Sequence, residues 1–192
     1  HIIDSIGKSK KLKYVCNHHE QASATAAEAY SRVTNNIGVC IVTTGPGGTN
    51  AITGVLGAWL DSIPMLVISG QVKRELIGAK LDGLRQLGDQ EINIVDIVKP
   101  VVKYAATISN PNDVLFHLKK AVFLSKTGRP GPVWIEVPLD VQGSFVKKSG
   151  LKKFNQAKEK LPFDTDVIKL KKLVEKTLNV LSRSKRPVLY IG

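Results

Sequence analysis

Tyr14-Val-Cys-Asn-His-His-Glu20, then Ile37-Gly-Val-Cys-Ile-Val-Thr43, then Thr44-Gly-Pro-Gly-Gly-Thr-Asn50 decide how the rest of the chain is read. The middle run is continuously apolar and of strand length, as a strand covered on both faces should be. The glycines that follow make a tight turn from strand into helix. Before it, 14–16 reads as a strand that delivers Glu20 into a helix over 21–33, where Ala22, Ala26, Ala29 and Tyr30 recur at helical spacing. Open α/β sheets bind ligands at the carboxyl ends of their strands, so Glu20 and the turn 44–50 are expected together at one rim. A carboxylate buried at a strand end is costly unless it is paired or keeps a proton. Two readings of Glu20 follow: a helix cap favoured by the N-terminal dipole, or a working acid. The turn also has two readings, a tight bend that needs glycine dihedrals or a set of backbone N–H groups facing an anion.

Outward from this stretch, buried strands alternate with helices. A helix over 49–60 carries Val55, Leu56, Trp59 and Leu60 on its expected core side, and 65–69 is a buried strand. A helix over 92–98 and a strand over 101–107 come next. Asn110-Pro-Asn-Asp113 is a helix start with Asn112 or Asp113 as cap. Val114, Leu115, Leu118, Ala121, Val122 and Phe123 form the stripe of that helix, where His117 reads as a boundary histidine, and 132–137 is the last strand. The fold class is α/β, a mainly parallel sheet flanked by helices over 1–142. A lysine-rich linker over 143–165 leads to a second α/β domain, of which 166–192 supplies a first helix capped by Asp166 and a strand.

The chain has 192 residues and a net charge of +12, which raises the question of nucleic acid. From Lys147 onward there are 13 Lys and Arg against 4 Asp and Glu, so +9 of the excess lies in the tail. Lys169, Lys171, Lys172 and Lys176 fit the wet face of an amphipathic helix whose apolar row is Leu170, Leu173, Val174, Leu178 and Leu181. A solvated face is the default reading, so neither nucleic acid nor membrane is an expected partner. No apolar run approaches the roughly 20 residues of a membrane span. Cys16 and Cys40 lie in apolar runs, as buried thiols of a reducing, cytoplasmic compartment would. The four histidines make no paired-ligand spacing with them, so no metal site is assigned. The glycine turn is no Walker loop, since no Lys-Ser/Thr follows at the required spacing. It is not the dinucleotide fingerprint either, because Asn50 replaces the third glycine.

His19-Glu20-Gln21, Ala27-Glu-Ala-Tyr-Ser-Arg32 and Thr44-Gly-Pro-Gly-Gly-Thr-Asn50 stand in order with Leu60-Asp-Ser-Ile-Pro-Met65, Ser69-Gly-Gln-Val72 and Gly128-Arg-Pro-Gly-Pro-Val133. Together they resemble the pyrimidine-binding (PYR) domain of thiamine-diphosphate-dependent enzymes of the acetolactate synthase type. The likeness covers most of residues 12–142, and it is specific because the motifs keep their order. It implies a fragment, truncated at its front, of a carboligase or decarboxylase (a transferase or lyase) acting on a 2-oxo acid. Glu20 would then hydrogen-bond the aminopyrimidine ring nitrogen and favour the imino form, whose exocyclic nitrogen removes the thiazolium C2 proton. Pro46 and Asn50 align with positions that line the pyrimidine.

Asp89-Gln90-Glu91 fits a Phe-Gln-Glu triplet of the family, with Asp in place of the ring and extra residues before it. Gln90 keeps the amide and could hydrogen-bond near the cofactor, or be a surface glutamine; the acidic neighbour puts pyruvate in doubt as substrate. Mg²⁺ would bind the diphosphate on a domain absent from this chain, so the piece alone should be inactive. FAD is an option in the family that nothing here indicates. A homodimer or homotetramer is implied, with the Ala-rich helix near the interface. The alternatives are a dinucleotide-binding oxidoreductase domain and a non-catalytic binding or assembly module.

Overall fold

Apolar strands without a charged face need cover on both sides; the computed structural model provides it for the two central strands, 65–71 and 132–138, but leaves Val39 of the first strand 51% exposed. It describes residues 1–78, 83–159 and 166–190, in two compact units spanning 1–159 and 160–192. The first opens with α1 (Ile2–Lys8) and α2 (Glu20–Thr34), followed by β1 (Gly38–Val42), α3 (Pro46–Leu60) and β2 (Met65–Gln71). It continues with α4 (Ile94–Val98), β3 (Tyr104–Thr107), α5 (Val114–Lys126), β4 (Pro132–Pro138) and α6 (Leu139–Gln142). The four strands form one sheet in the order β1-β2-β4-β3, and every pair is parallel. The protein is thus α/β with helices on both faces of a parallel sheet.

Side chains alternate across a strand, so one strand feeds two cores. Met65 and Val67 face the same core as Trp134, together with Ala24 and Ala27 of α2 and Ala51, Val55 and Ala58 of α3. Leu66, Val133, Ile135 and Val137 face the other, with Ala121 of α5, Ile108 and Val141. The buried Trp134 Nε1 donates to Ser69 Oγ at 2.8 Å, so the indole N–H is not left without a partner. Helix α2 ends at Asn35 in the left-handed region (φ 56°), and the buried Ser31 Oγ donates to Pro64 O and accepts from Gly38 N.

Several expectations need correction. Residues 12–17 form no strand: Val15 is 84% exposed, and Tyr14 and Cys16 are exposed too. Among the described residues no strand pairs with them to complete a ladder, so Glu20 arrives on a loop and opens α2. The buried side of α3 is Ala51, Gly54, Val55 and Ala58, whereas Leu56 and Leu60 are exposed and Trp59 is 37% exposed. The helix starts at Pro46, and small residues let it pack closely on α2. The N-cap of α5 is Asp113, one of the two expected, but its side chain makes no capping hydrogen bond; that bond is made by Asn110, which accepts from Asn112 N ahead of a 3-10 turn, Pro111–Asp113. The buried residues of α5 are Ala121, Leu124 and Ser125; Val122 is exposed.

The stretch expected to be a linker is packed up to the unit's end. Phe154 sits with its ring centroid 5.7 Å from both Phe116 and Phe123 of α5. Lys152 N donates to Asn112 O at 2.9 Å, and Lys120 pairs with Glu159 at 2.7 Å. Under this strap Tyr104 Oη and His117 Nδ1 are 2.6 Å apart, and burial lowers the His117 pKa. The remainder of the expected linker, 160–165, lies outside the described residues.

In the second unit, α7 (Val167–Arg183) is capped by Asp166, whose Oδ1 accepts from Ile168 N and Lys169 N. Its apolar row of Leu170, Leu173, Val174 and Leu178 is exposed within this unit. No strand forms over 186–190, because no other strand among the unit's described residues can pair with it; residues 191 and 192 lie outside that description.

Candidate functional site

The end of β1 fixes the first half of the site. After Val42 the chain turns through Gly45 at φ 58°, ψ −124°, a backbone conformation that only glycine adopts without strain. Pro46 then occupies the first turn of α3, where its missing N–H costs nothing. A Cβ on Gly45 would run into Gln90 O and lie 2.9 Å from Gln90 Cβ, so the turn and the Gln90 loop touch backbone to backbone. A Cβ on Gly47 would lie 2.6 Å from Thr43 Cγ2 and 3.6 Å from Glu20 Oε1. Gly47 is buried there, so glycine is what lets the turn pack against Thr43 within reach of Glu20.

Glu20 is the first residue of α2, and the cap before it is His19, whose Nδ1 accepts from Gln21 N at 3.1 Å. Across the rim, Asn50 Nδ2 donates to Glu20 Oε2 at 3.1 Å. That hydrogen bond is the main cause holding Glu20 below the usual carboxylate range; its own backbone N–H adds to it and desolvation opposes. Glu20 is half-buried rather than sealed at a strand end. Of the residues singled out in the sequence, Glu20 and Asn50 are joined directly, and Pro46 shares the first turn of α3 with Asn50. Gln90 meets them through its backbone, at φ 57°, with its side chain exposed.

The Gln90 loop is held by its neighbours. The Glu91 carboxylate accepts from Gly78 N at 2.7 Å, Leu87 N at 3.0 Å and Gly88 N at 3.1 Å, closing the loop on itself. Part of the expected insertion, 79–82, lies outside the described residues. At the loop's base, Arg74 Nε donates to Asp140 Oδ2 at 2.6 Å and Arg74 Nη1 to Ser109 O at 2.6 Å.

Beneath the rim lies a polar layer that sequence reasoning passed over. Glu136 on β4 is buried; its Oε1 accepts from Gln71 Nε2 at 2.8 Å and its Oε2 from Thr107 Oγ1 at 2.6 Å. Burial raises the Glu136 pKa, and the hydrogen bonds from Thr107 and Gln71 offset part of that effect. Gln71 at the end of β2 also accepts from Thr44 Oγ1 and donates to Ile92 O, both at 2.9 Å. The signal was present: a lone acidic residue inside the apolar run 132–138 must find partners.

Chemically, the arrangement offers a carboxylate with one oxygen oriented by an amide, close to a glycine turn. Residues 1–97 match the family model described as thiamine pyrophosphate enzyme, N-terminal TPP binding domain. The acetolactate synthase large subunit of Cyanidium caldarium is 37% identical over 193 residues, covering 96% of this chain and 30% of that protein. The large subunit of Corynebacterium glutamicum is 37% identical over 191 residues, covering all of this chain and 29% of that protein. Acetolactate synthase 2, chloroplastic, of Nicotiana tabacum is 36% identical over 196 residues, covering all of this chain and 27% of that protein. The chain thus spans under a third of the length of the relatives it matches. It belongs to the thiamine pyrophosphate enzymes, through their N-terminal cofactor-binding domain.

Proposed function

We propose that this chain forms the pyrimidine-binding part of a longer thiamine-diphosphate-dependent carboligase or decarboxylase that acts on a 2-oxo acid. The observation that carries the reading is the Asn50–Glu20 hydrogen bond beside the glycine turn. Glu20 is the proton-sharing group, poised as a carboxylate by Asn50. Pro46 and Asn50 line the ring's edge. When bound, thiamine diphosphate supplies the electron sink for decarboxylation. The chain supplies the orientation and the acid–base group. Magnesium and the diphosphate would be held by chain outside these residues, so this piece alone should be inactive.

Asp89, beside Gln90, would face the reacting carbonyl and bias the choice of 2-oxo acid away from pyruvate. Active sites would form between subunits of at least a dimer, with α2 near the interface. A second domain beginning near 166 and a cytoplasmic, reducing setting belong to the same reading; two free thiols, one of them exposed, support the setting.

The test is Glu20→Gln in the longer protein, with C2 proton exchange on bound cofactor measured at saturation. Exchange should slow by about 10² or more, the usual scale for losing an acid–base group. Equal rates would reject Glu20 as the activating residue.

A further inference from the structure

We propose that Gln71 is a positioning residue: it fixes the distance between the glycine turn and the Gln90 loop, and Glu136 orients its amide. The proposal rests on the function given above only in saying which two halves of the site are held together.

A side-chain amide has two acceptor sites and two N–H donors, and Gln71 uses them all. Its Oε1 accepts from Thr44 Oγ1 and Val72 N, and its Nε2 donates to Ile92 O and Glu136 Oε1, at 2.8–2.9 Å. Thr44 immediately precedes Gly45, and Ile92 lies two residues after Gln90. The Gly45–Gln90 contact is one of backbone and Cβ packing, which resists approach but does not hold the two together. Gln71 is the side chain bonded to both strands of chain leading into that contact.

Its orientation is fixed by partners that cannot change role. Val72 N–H can only donate and Ile92 C=O can only accept, so a flipped amide would fail at both. Glu136, 4% exposed and tied to Thr107 Oγ1, adds an acceptor on the same side as Ile92 O. Gln71 (6% exposed) and Glu136 are buried and their partners Thr44, Val72, Ile92 and Thr107 half-buried, so water has little access to the amide–carboxylate bond at the centre.

Gln71→Glu, and the exchange Gln71→Glu with Glu136→Gln, separate this role from plain stability. The double variant restores an amide–carboxylate bond between positions 71 and 136. It still sets an oxygen against Ile92 O. In the longer protein, amide hydrogen exchange over 85–92 should quicken about tenfold or more in both variants, with α2 within about twofold of wild type. The melting temperature should fall in the single variant and recover in the double. The KM for the 2-oxo acid should stay raised about tenfold in the double, with kcat per occupied site nearly unchanged. Unchanged loop exchange, or equal quickening of loop and α2, would overturn the proposal and leave Gln71 a stabilising core residue. If the wild-type protein binds no thiamine diphosphate by calorimetry, the functional reading falls, while the exchange data still decide the role of Gln71.

Discussion

Asn50 and Glu20, 30 residues apart, join the first turns of α3 and α2 through one hydrogen bond of 3.1 Å. The bond ties the carboxylate to the helix that begins at the glycine turn, so neither can shift without the other.

The charge state of Glu20 should follow Asn50. Asn50→Ala removes the leading cause of the lowered pKa, so the Glu20 titration should move up toward the ordinary glutamate value. A lowered folded-state pKa gives stability that is present above the unfolded value and lost as pH falls through the folded one. Carboxyl carbon shifts followed by NMR against pH would read this directly; an unmoved Glu20 titration in Asn50→Ala would contradict it.

Glu136 should behave with the opposite sign. Its pKa is raised chiefly by burial, so its contribution is fully present below the unfolded value and is lost as pH rises through the folded one. Glu136→Gln keeps an acceptor for Gln71 and cannot ionise. The melting temperature of wild type should therefore fall relative to Glu136→Gln as pH climbs from the ordinary carboxylate value through the raised one. Parallel curves for the two proteins would show that Glu136 ionises without cost.

The two thiols should part in reactivity. Cys16 is exposed, whereas Cys40 is 2% exposed and burial, with Glu20 nearby, pushes its thiol up to about 11. At neutral pH a maleimide should label Cys16 within minutes and leave Cys40 untouched until the protein unfolds. Mass spectrometry of the labelled peptides gives the answer.

Phe154→Ala should loosen the strap over α5. It deletes two ring contacts, each worth about 0.5–1.5 kcal/mol. Urea unfolding should show a loss of about 1–3 kcal/mol, and trypsin should cut sooner at Lys152, Lys153 and Lys158. Unchanged cleavage there would mean that the segment is held by its ion pair and backbone bond instead.

The strands at 65–71 and 132–138 were legible because parallel strands covered on both faces are mostly apolar; 38–42 reads the same way although it is an edge strand with Val39 51% exposed. Helix α2 was legible from its alanine spacing; Glu20 and Asn50 do come together as expected, but not for the expected reason, since Glu20 reaches the rim on a loop and not at the end of a strand. Tyr14 to Cys16 misled because strand composition says nothing about whether a neighbour exists to complete the ladder. Trp59 misled because large apolar residues are weak guides to which helix face is inside when small ones make the close contact. The Gln71–Glu136 bond spans 65 residues and joins different strands, so no local pattern announces it.

The backbone contact between Gly45 and Gln90 has an evolutionary corollary. The loop is clasped by main-chain atoms, by Glu91 and by Gln71, and the side chains of Asp89 and Gln90 are exposed. Selection can therefore try new side chains at Asp89 without first repairing these bonds, whereas Gln90, held at φ 57°, is confined to residues that tolerate the left-handed region.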